Sequence, residues 1–471
     1  MIFNSLIFVV FFAIVLFLHA MPFSWRVKKM NLLIASYIFY AAWNPPFVIL
    51  LWLSTVVDWF AARGLARAEV PWKRRAWMLL SVVVSLGLLC YFKYGHFLLD
   101  NFAHLASLAG FHYAPPKSNI VLPIGISFYT FATMSYTLDI YLRRATPARS
   151  FLDYALFVTF FPHLVAGPIM RPTELVPQFE VPRKAISDQL RFGLALMTLG
   201  LFEKVVLADG FLGPVVDKLY NGDAVPGFID SWVATLAFSG QIFCDFAGYS
   251  VTAIGAALCL GFALSDNFRF PYAAVGFTDF WRRWHITLSA WLRDYVYIPL
   301  GGNRHGDVRT YFSLMATMLI GGLWHGASWT FAVWGALHGI YLAVERLLRK
   351  KFSGYRPGRA ATAALGLFTF LLVNIAWVFF RAKTFHQAIL VLSGMFGRNT
   401  HAVPVLAGVY LLTTPLIIGG LVLAHCSMRN QTLEAAIARV HPVVLTAVWT
   451  ILAFAIVIQH GESNGFIYFQ F

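Results

Sequence analysis

Charge is what this chain lacks most. Of its 471 residues only 12% are Asp, Glu, Lys or Arg, while 59% are hydrophobic; soluble globular domains carry about 25% charged residues. That shortage excludes an ordinary soluble fold, and repeated apolar runs of spanning length point to an all-α, polytopic membrane protein. Cysteine is scarce as well: Cys90, Cys244, Cys259 and Cys426 lie far apart in apolar stretches. No pair has metal-ligand or redox spacing, so no metal site is expected and the four read as packing residues. A glycine-rich phosphate loop, an HExxH zinc motif and a GxSxG elbow are all missing, which removes the sequence signatures of soluble nucleotide-binding and hydrolase domains.

Acids are scarcer than bases, 21 against 36, leaving a net charge of +15. The excess does not mark a nucleic-acid binder. It sits in short loops: Arg26, Lys28 and Lys29; Arg63 to Arg75; Arg143, Arg144 and Arg149; and Arg346 to Arg359, with six Lys/Arg and no acid. Such clustering follows the positive-inside rule and assigns these loops to the cytoplasm. The first apolar run, Ile2 to Met21, has its basic residues after it rather than before it, unlike a secretory signal, and reads as a retained span with the N-terminus outside. Counting sides leaves the C-terminus outside too, with ~10 to 12 crossings.

Along the chain, Asn44-Pro45-Pro46 breaks the apolar segment 31–62 into a helical hairpin or broken span, because proline removes a helical hydrogen bond. Residues 76–94 read as a crossing, 96–118 as an outer loop carrying a short interfacial helix, and 120–141 as the return. Further helices are expected at 151–165, 187–208 and 228–246, the last continuing past a bend at Gly248, with 209–227 a polar connection. Later spans fall at 310–323, 327–344, 361–380, 405–424 and 443–458. No repeat or linker divides the chain, so residues 1–471 read as one membrane domain with its motifs between about 120 and 345.

Two stretches carry the chemistry. Residues 321–339 hold His325 between glycines, flanked by Trp324, Trp329 and Trp334, without a single Lys, Arg, Asp or Glu. An imidazole in such a segment is costly to leave unpaired. If Arg309 marks the cytoplasmic face, His325 lies about 24 Å along a helix axis, inside a hydrocarbon core about 30 Å thick. A buried base fits that depth, and so does a histidine held by packing. Residues 267–304 place Asp279, Arg282, Arg283, His285, Arg293 and Asp294 among Phe280, Trp281, Trp284, Trp291 and Tyr295. That is too charged to cross lipid and too aromatic for a solvated loop, so it reads as a re-entrant element lining an aqueous cavity.

The motifs Phe161-Pro162-His163-Leu164-Val165-Ala166-Gly167-Pro168, Gln241 to Ser250, Asp279-Phe280-Trp281-Arg282-Arg283-Trp284-His285, Trp291 to Arg304 and Gly321 to Ala327 occur in that order. This series strongly resembles the membrane-bound O-acyltransferases, closest to the branch that O-acetylates alginate, with the teichoic-acid D-alanylating branch more distant. The resemblance implies a ring of helices around a thin centre crossed by a tunnel. It makes His325 the catalytic histidine and His285 a second active-site position that orients substrate, donates to the oxyanion or shares the proton. His163 would line the passage, His338 would pack in support, and Asp245 and Asp279 would partner buried Arg or His. Arg282, Arg283, Arg293 and Arg304 could meet donor phosphates, or pair with Asp279 and Asp294. The implied donor is acetyl-CoA from the cytoplasm of a bacterium. The implied location is the inner membrane, and the implied partners are membrane lipid and a periplasmic acetyltransferase or polysaccharide-modification protein. Acetylation of cellulose or peptidoglycan, D-alanyl transfer, and transport without chemistry remain the alternatives; transport would call for inverted repeats and paired acids on broken helices, and neither stands out.

Overall fold

The computed structural model describes residues 1–115 and 120–459. Among them no strand forms; the extended backbone pairs only as an isolated bridge between Pro226 and Val403. Seven helices are long and apolar enough to cross a membrane: Pro45–Arg67, Pro71–Leu108, Phe228–Cys259, Trp329–Lys351, Arg359–Arg381, Gly408–Met428 and Pro442–Gln459. Leu6–Ala20 and Phe385–Met395 are shorter apolar helices. The chain is therefore a multi-pass helical membrane protein. The helices Ile126–Tyr141, Ser187–Leu201 and Gly306–His325 stand outside the seven.

The chain packs as two compact units, Met1–Leu194 with Ala253–Ser265, and Ala195–Thr252 with Asp266–Phe471. In the first, Ser24 caps Trp25–Ala41 by accepting the Val27 N–H, and Pro45–Phe47 forms a single 3₁₀ turn before Val48–Arg67. The break expected at Asn44-Pro45-Pro46 is thus present, made by prolines that cannot extend a helix. A Cβ on Gly64 would lie 2.4 Å from the Trp77 indole, so that glycine is what lets two helices cross closely. The Arg74 guanidinium donates to Leu65 O at 2.8 Å and Tyr141 O at 3.0 Å, satisfying carbonyls at the ends of two helices. One expectation shifts here. Residues 95–108 are helical but continue directly from the preceding span through π-helical turns at Cys90–Tyr94, rather than following a loop. Pro116 to Ser118 of the expected outer loop lie outside the described residues.

The second unit contains residues 228–252 of Phe228–Cys259, a helix of 32 residues. The helix runs through Gly248 without a break, and that glycine serves a crossing. A Cβ there would sit 2.5 Å from Gly200 O, and one on Gly200 would sit 2.3 Å from Gly248 O. Beyond Gly200 the chain winds as a π-helix, Phe202–Leu212, which brings Lys204 to Asp209 at 2.8 Å and into an ion pair with Asp245. The polar connection expected at 209–227 is helical over Gly213–Tyr220. The helices Gly306–His325 and Trp329–Lys351 form an antiparallel pair fastened by another glycine crossing: a Cβ on Gly322 would meet Phe331 O at 2.3 Å, and one on Gly335 would meet Met318 O at 2.3 Å. Small residues at such crossings let backbones approach where lipid supplies no hydrophobic drive.

Candidate active site

His325 is the last residue of its 20-residue helix, and the chain leaves it fully extended at Gly326. A Cβ on Gly326 would come 2.0 Å from the Phe331 ring, so this position tolerates only glycine if the turn into Trp329–Lys351 is to stay tight. Ser328 opens the next helix by accepting the Thr330 N–H at 3.3 Å. The imidazole is 2% exposed. Edge contacts from Trp324 at 4.9 Å, Trp334 at 5.0 Å and Phe380 at 5.1 Å, between ring centroids, fix its plane. Those aromatic neighbours shield it from bulk water, and a base works in such a site without competing solvent.

His285 reaches the same place from the broken stretch 267–304, which forms only short helices at Phe277–Trp281 and Ile286–Leu292 and π-helical turns at Arg293–Tyr297. Its ring centroid lies 6.3 Å from that of His325, and it is fully buried. The residue adopts φ +43°, a left-handed conformation that costs a non-glycine residue stability and recurs at functional sites. Two backbone hydrogen bonds hold it there, Ile286 N–H to Asn267 O at 2.9 Å and Arg269 N–H to Arg283 O at 2.9 Å. Phe246 packs on the ring edge-on at 4.6 Å. Asn267, buried to 1%, lies 3.0 Å from His285 Nδ1 through its Oδ1. Sequence reasoning overlooked Asn267, since no helical or strand period links it to His285.

The four arginines fall into two groups. Arg283 Nε donates to Asp279 at 2.9 Å, and Arg429 shares the same carboxylate at 2.8 Å. Arg293 grips its neighbour Asp294 through Nε at 2.7 Å. Arg282 and Arg304 are exposed and make no ion pair among the described residues. Glu345 accepts the N–H groups of Phe277 at 2.6 Å and Thr278 at 2.9 Å, capping the short helix that carries Asp279. Asp245 forms an ion pair with Lys204, a lysine where Arg or His was expected. His338 packs between Phe280, Trp281, Trp334 and Tyr341, and neither ring nitrogen makes a hydrogen bond among the described residues. His163 belongs to the first unit, on the short helix Phe161–Leu164, and is buried to 4%.

Fold and burial define a multi-pass membrane protein that gathers two imidazoles inside one helical unit. Residues 144–383 match the profile of MBOAT, the membrane-bound O-acyltransferase family. A protein of Pseudomonas putida described as a probable alginate O-acetylase, AlgI, is 44% identical over 374 residues, covering 79% of this chain and 75% of that one. A peptidoglycan O-acetyltransferase of Helicobacter pylori is 39% identical over 405 residues, 79% and 74% of the two chains. More distant is a teichoic acid D-alanyltransferase of Bacillus subtilis, 26% identical over 293 residues, 58% and 72%. The chain belongs to the membrane-bound O-acyltransferase family and is an O-acetyltransferase of the membrane.

Proposed function

We propose that this protein takes an acetyl group from acetyl-CoA at the cytoplasmic face of a bacterial inner membrane and delivers it, through a periplasmic acetyltransferase or polysaccharide-modification protein, for O-acetylation of an exported polysaccharide of the alginate type. The observation that carries this reading is the buried pair His325 and His285, 6.3 Å apart between ring centroids, in a chain 44% identical over 374 residues to a probable alginate O-acetylase. His325 is the general base. It takes the proton of the acceptor hydroxyl as the hydroxyl oxygen attacks the thioester carbonyl; the C–O bond forms, the C–S bond breaks, and the proton passes to the departing thiolate. His285 contacts the same reacting groups. Donor phosphates fall to Arg282 and Arg304, since Arg283 and Arg293 are engaged by Asp279 and Asp294.

The basic loops sited in the cytoplasm give this donor face its positive field. Replacing Arg282 or Arg304 by Gln raises KM for acetyl-CoA severalfold with kcat little changed, more so at low salt, if the contact is equally strong in ground and transition states. Unchanged KM for both would place the donor elsewhere. The 39% identity to a peptidoglycan O-acetyltransferase favours a second reading in which peptidoglycan is the final acceptor. Cells that lose this protein, complemented with wild type or His325→Gln and assayed for acetyl esters on each polymer, decide between them: the polymer that loses its esters in both the null strain and the variant is the substrate.

A further inference from the structure

The buried neighbourhood of His285 contains more polar structure than packing requires. Asn267 Nδ2 donates to Ser250 Oγ at 3.1 Å, while Asn267 Oδ1 accepts from Thr287 Oγ1 at 3.0 Å and lies 3.0 Å from His285 Nδ1. Asn267 is 1% exposed, Ser250 1% and Thr287 7%, so the three are out of reach of bulk water. With its amide nitrogen committed to Ser250, the oxygen of Asn267 can only accept. The nitrogen of His285 that faces it must therefore carry the hydrogen, which leaves the lone pair on Nε2.

We propose that Asn267 is the positioning residue of His285, its side-chain carbonyl holding the ring as the Nδ1–H tautomer so that Nε2 meets the reacting groups as an acceptor. This rests on the reading that His285 contacts those groups. A neutral His285 in this form cannot donate from Nε2 to an oxyanion; it shares the hydroxyl proton instead. Thr287, on the helix that His285 begins, and Ser250, on Phe228–Cys259, fix the amide so that it cannot turn without losing a bond on each side. An amide suits the task because it neither titrates nor attracts a permanent proton to the ring, as a carboxylate would. Phe246, Phe268 and Trp324 pack their rings on His285. The titratable ring of His325 lies 6.3 Å away between centroids, and Asp245, beside Phe246 on the same helix, forms an ion pair with Lys204.

The test uses the full-length protein purified in detergent, with coenzyme A release from acetyl-CoA as readout and thermal unfolding to confirm folding. Asn267→Leu lowers kcat tenfold or more with KM for acetyl-CoA within about twofold. Asn267→Asp keeps an acceptor on Nδ1 but stabilises the imidazolium, so it retains activity while the acid limb of its rate–pH profile moves up by about one unit or more. In a His285→Gln background, Asn267→Leu adds no further loss, because it acts through the ring that is gone. A folded Asn267→Leu protein with wild-type kcat, an Asn267→Asp protein whose acid limb stays in place, or an equal loss in the His285→Gln background would each overturn the assignment. Full activity in His285→Gln alone is a different failure: it would remove His285 from the reaction, whatever Asn267 does.

Discussion

At the scale of single residues, the candidate site divides between groups proposed to face reactants and groups that hold the short segments in place. Asp279 is of the second kind. Burial alone would push its carboxyl up, but the Val275 N–H and the guanidinium groups of Arg429 and Arg283 outweigh it and hold the carboxyl below the ordinary carboxylate range. A carboxyl lowered in the folded state adds stability above its unfolded value, about 3.9, and loses that contribution as pH falls through the lowered folded value. Thermal unfolding of the purified protein should therefore fall off below about pH 4, and Asp279→Asn should be less stable near neutrality with a flatter acid limb. An unchanged acid limb in that variant would show that the carboxylate does not anchor the segment. The mixed aromatic and charged character of 267–304 was readable as a shielded, broken element, and the competing ion-pair role weighed for the arginines was readable with it. Which arginine meets which acid was not: Arg429 joins Asp279 from 150 residues away, a pairing that no local pattern encodes.

At the scale of elements, glycine placement decides where His325 sits. The helices Gly306–His325 and Trp329–Lys351 approach so closely at Gly322 and Gly335 that a methyl group at either would press on a backbone oxygen at 2.3 Å. Backbone cannot yield as a flexible side chain can, so the helices must part. Gly322→Ala is expected to cost about 1–3 kcal/mol and to lower activity by displacing His325. Gly420→Ala, where a Cβ would meet nothing within 4 Å, is the control and should leave melting temperature and rate unchanged. A Gly322→Ala protein as stable and active as wild type would mean the crossing does not position the histidine. Sequence placed Gly321, Gly322 and Gly326 around His325, and it located the proline-made break near Pro45. It did not show the crossing at Gly248, because a glycine that bends a helix and one that admits a neighbouring helix look alike until the neighbour, Gly200, is known. It also ended helices where polar residues began, at His96 and Asp209; π-helical turns at Cys90–Tyr94 lead straight into the helix that holds His96, and those at Phe202–Leu212 run through Asp209.

At the scale of the whole molecule, composition alone required a multi-pass membrane protein, and the basic loops supply a prediction of its orientation. Cysteines introduced for Lys28, Lys73 and Lys350 in intact cells should be shielded from a membrane-impermeant thiol reagent and labelled only after permeabilisation. Labelling of Lys350→Cys from outside would reverse the donor side. The expectation that Lys117→Cys is labelled from outside concerns a residue beyond those described, and it serves as the outer reference. The count of crossings was less legible than their existence, since helices such as Gly306–His325 are long enough to span yet too polar to be counted by composition. The division into two compact units left no trace in the sequence, because its boundaries at Leu194 and Thr252 fall inside helices.

The central claim, that acyl transfer runs through His325, is tested most directly by single-turnover and steady-state coenzyme A release from acetyl-CoA in reconstituted vesicles, comparing wild type with His325→Ala and His325→Gln at matched, folded protein. Loss of a general base lowers the rate by about 10²- to 10⁴-fold, and both variants should show that loss with unfolding temperatures close to wild type. Near-wild-type turnover in a folded His325→Ala protein would contradict the account, and would leave this buried histidine a packing residue.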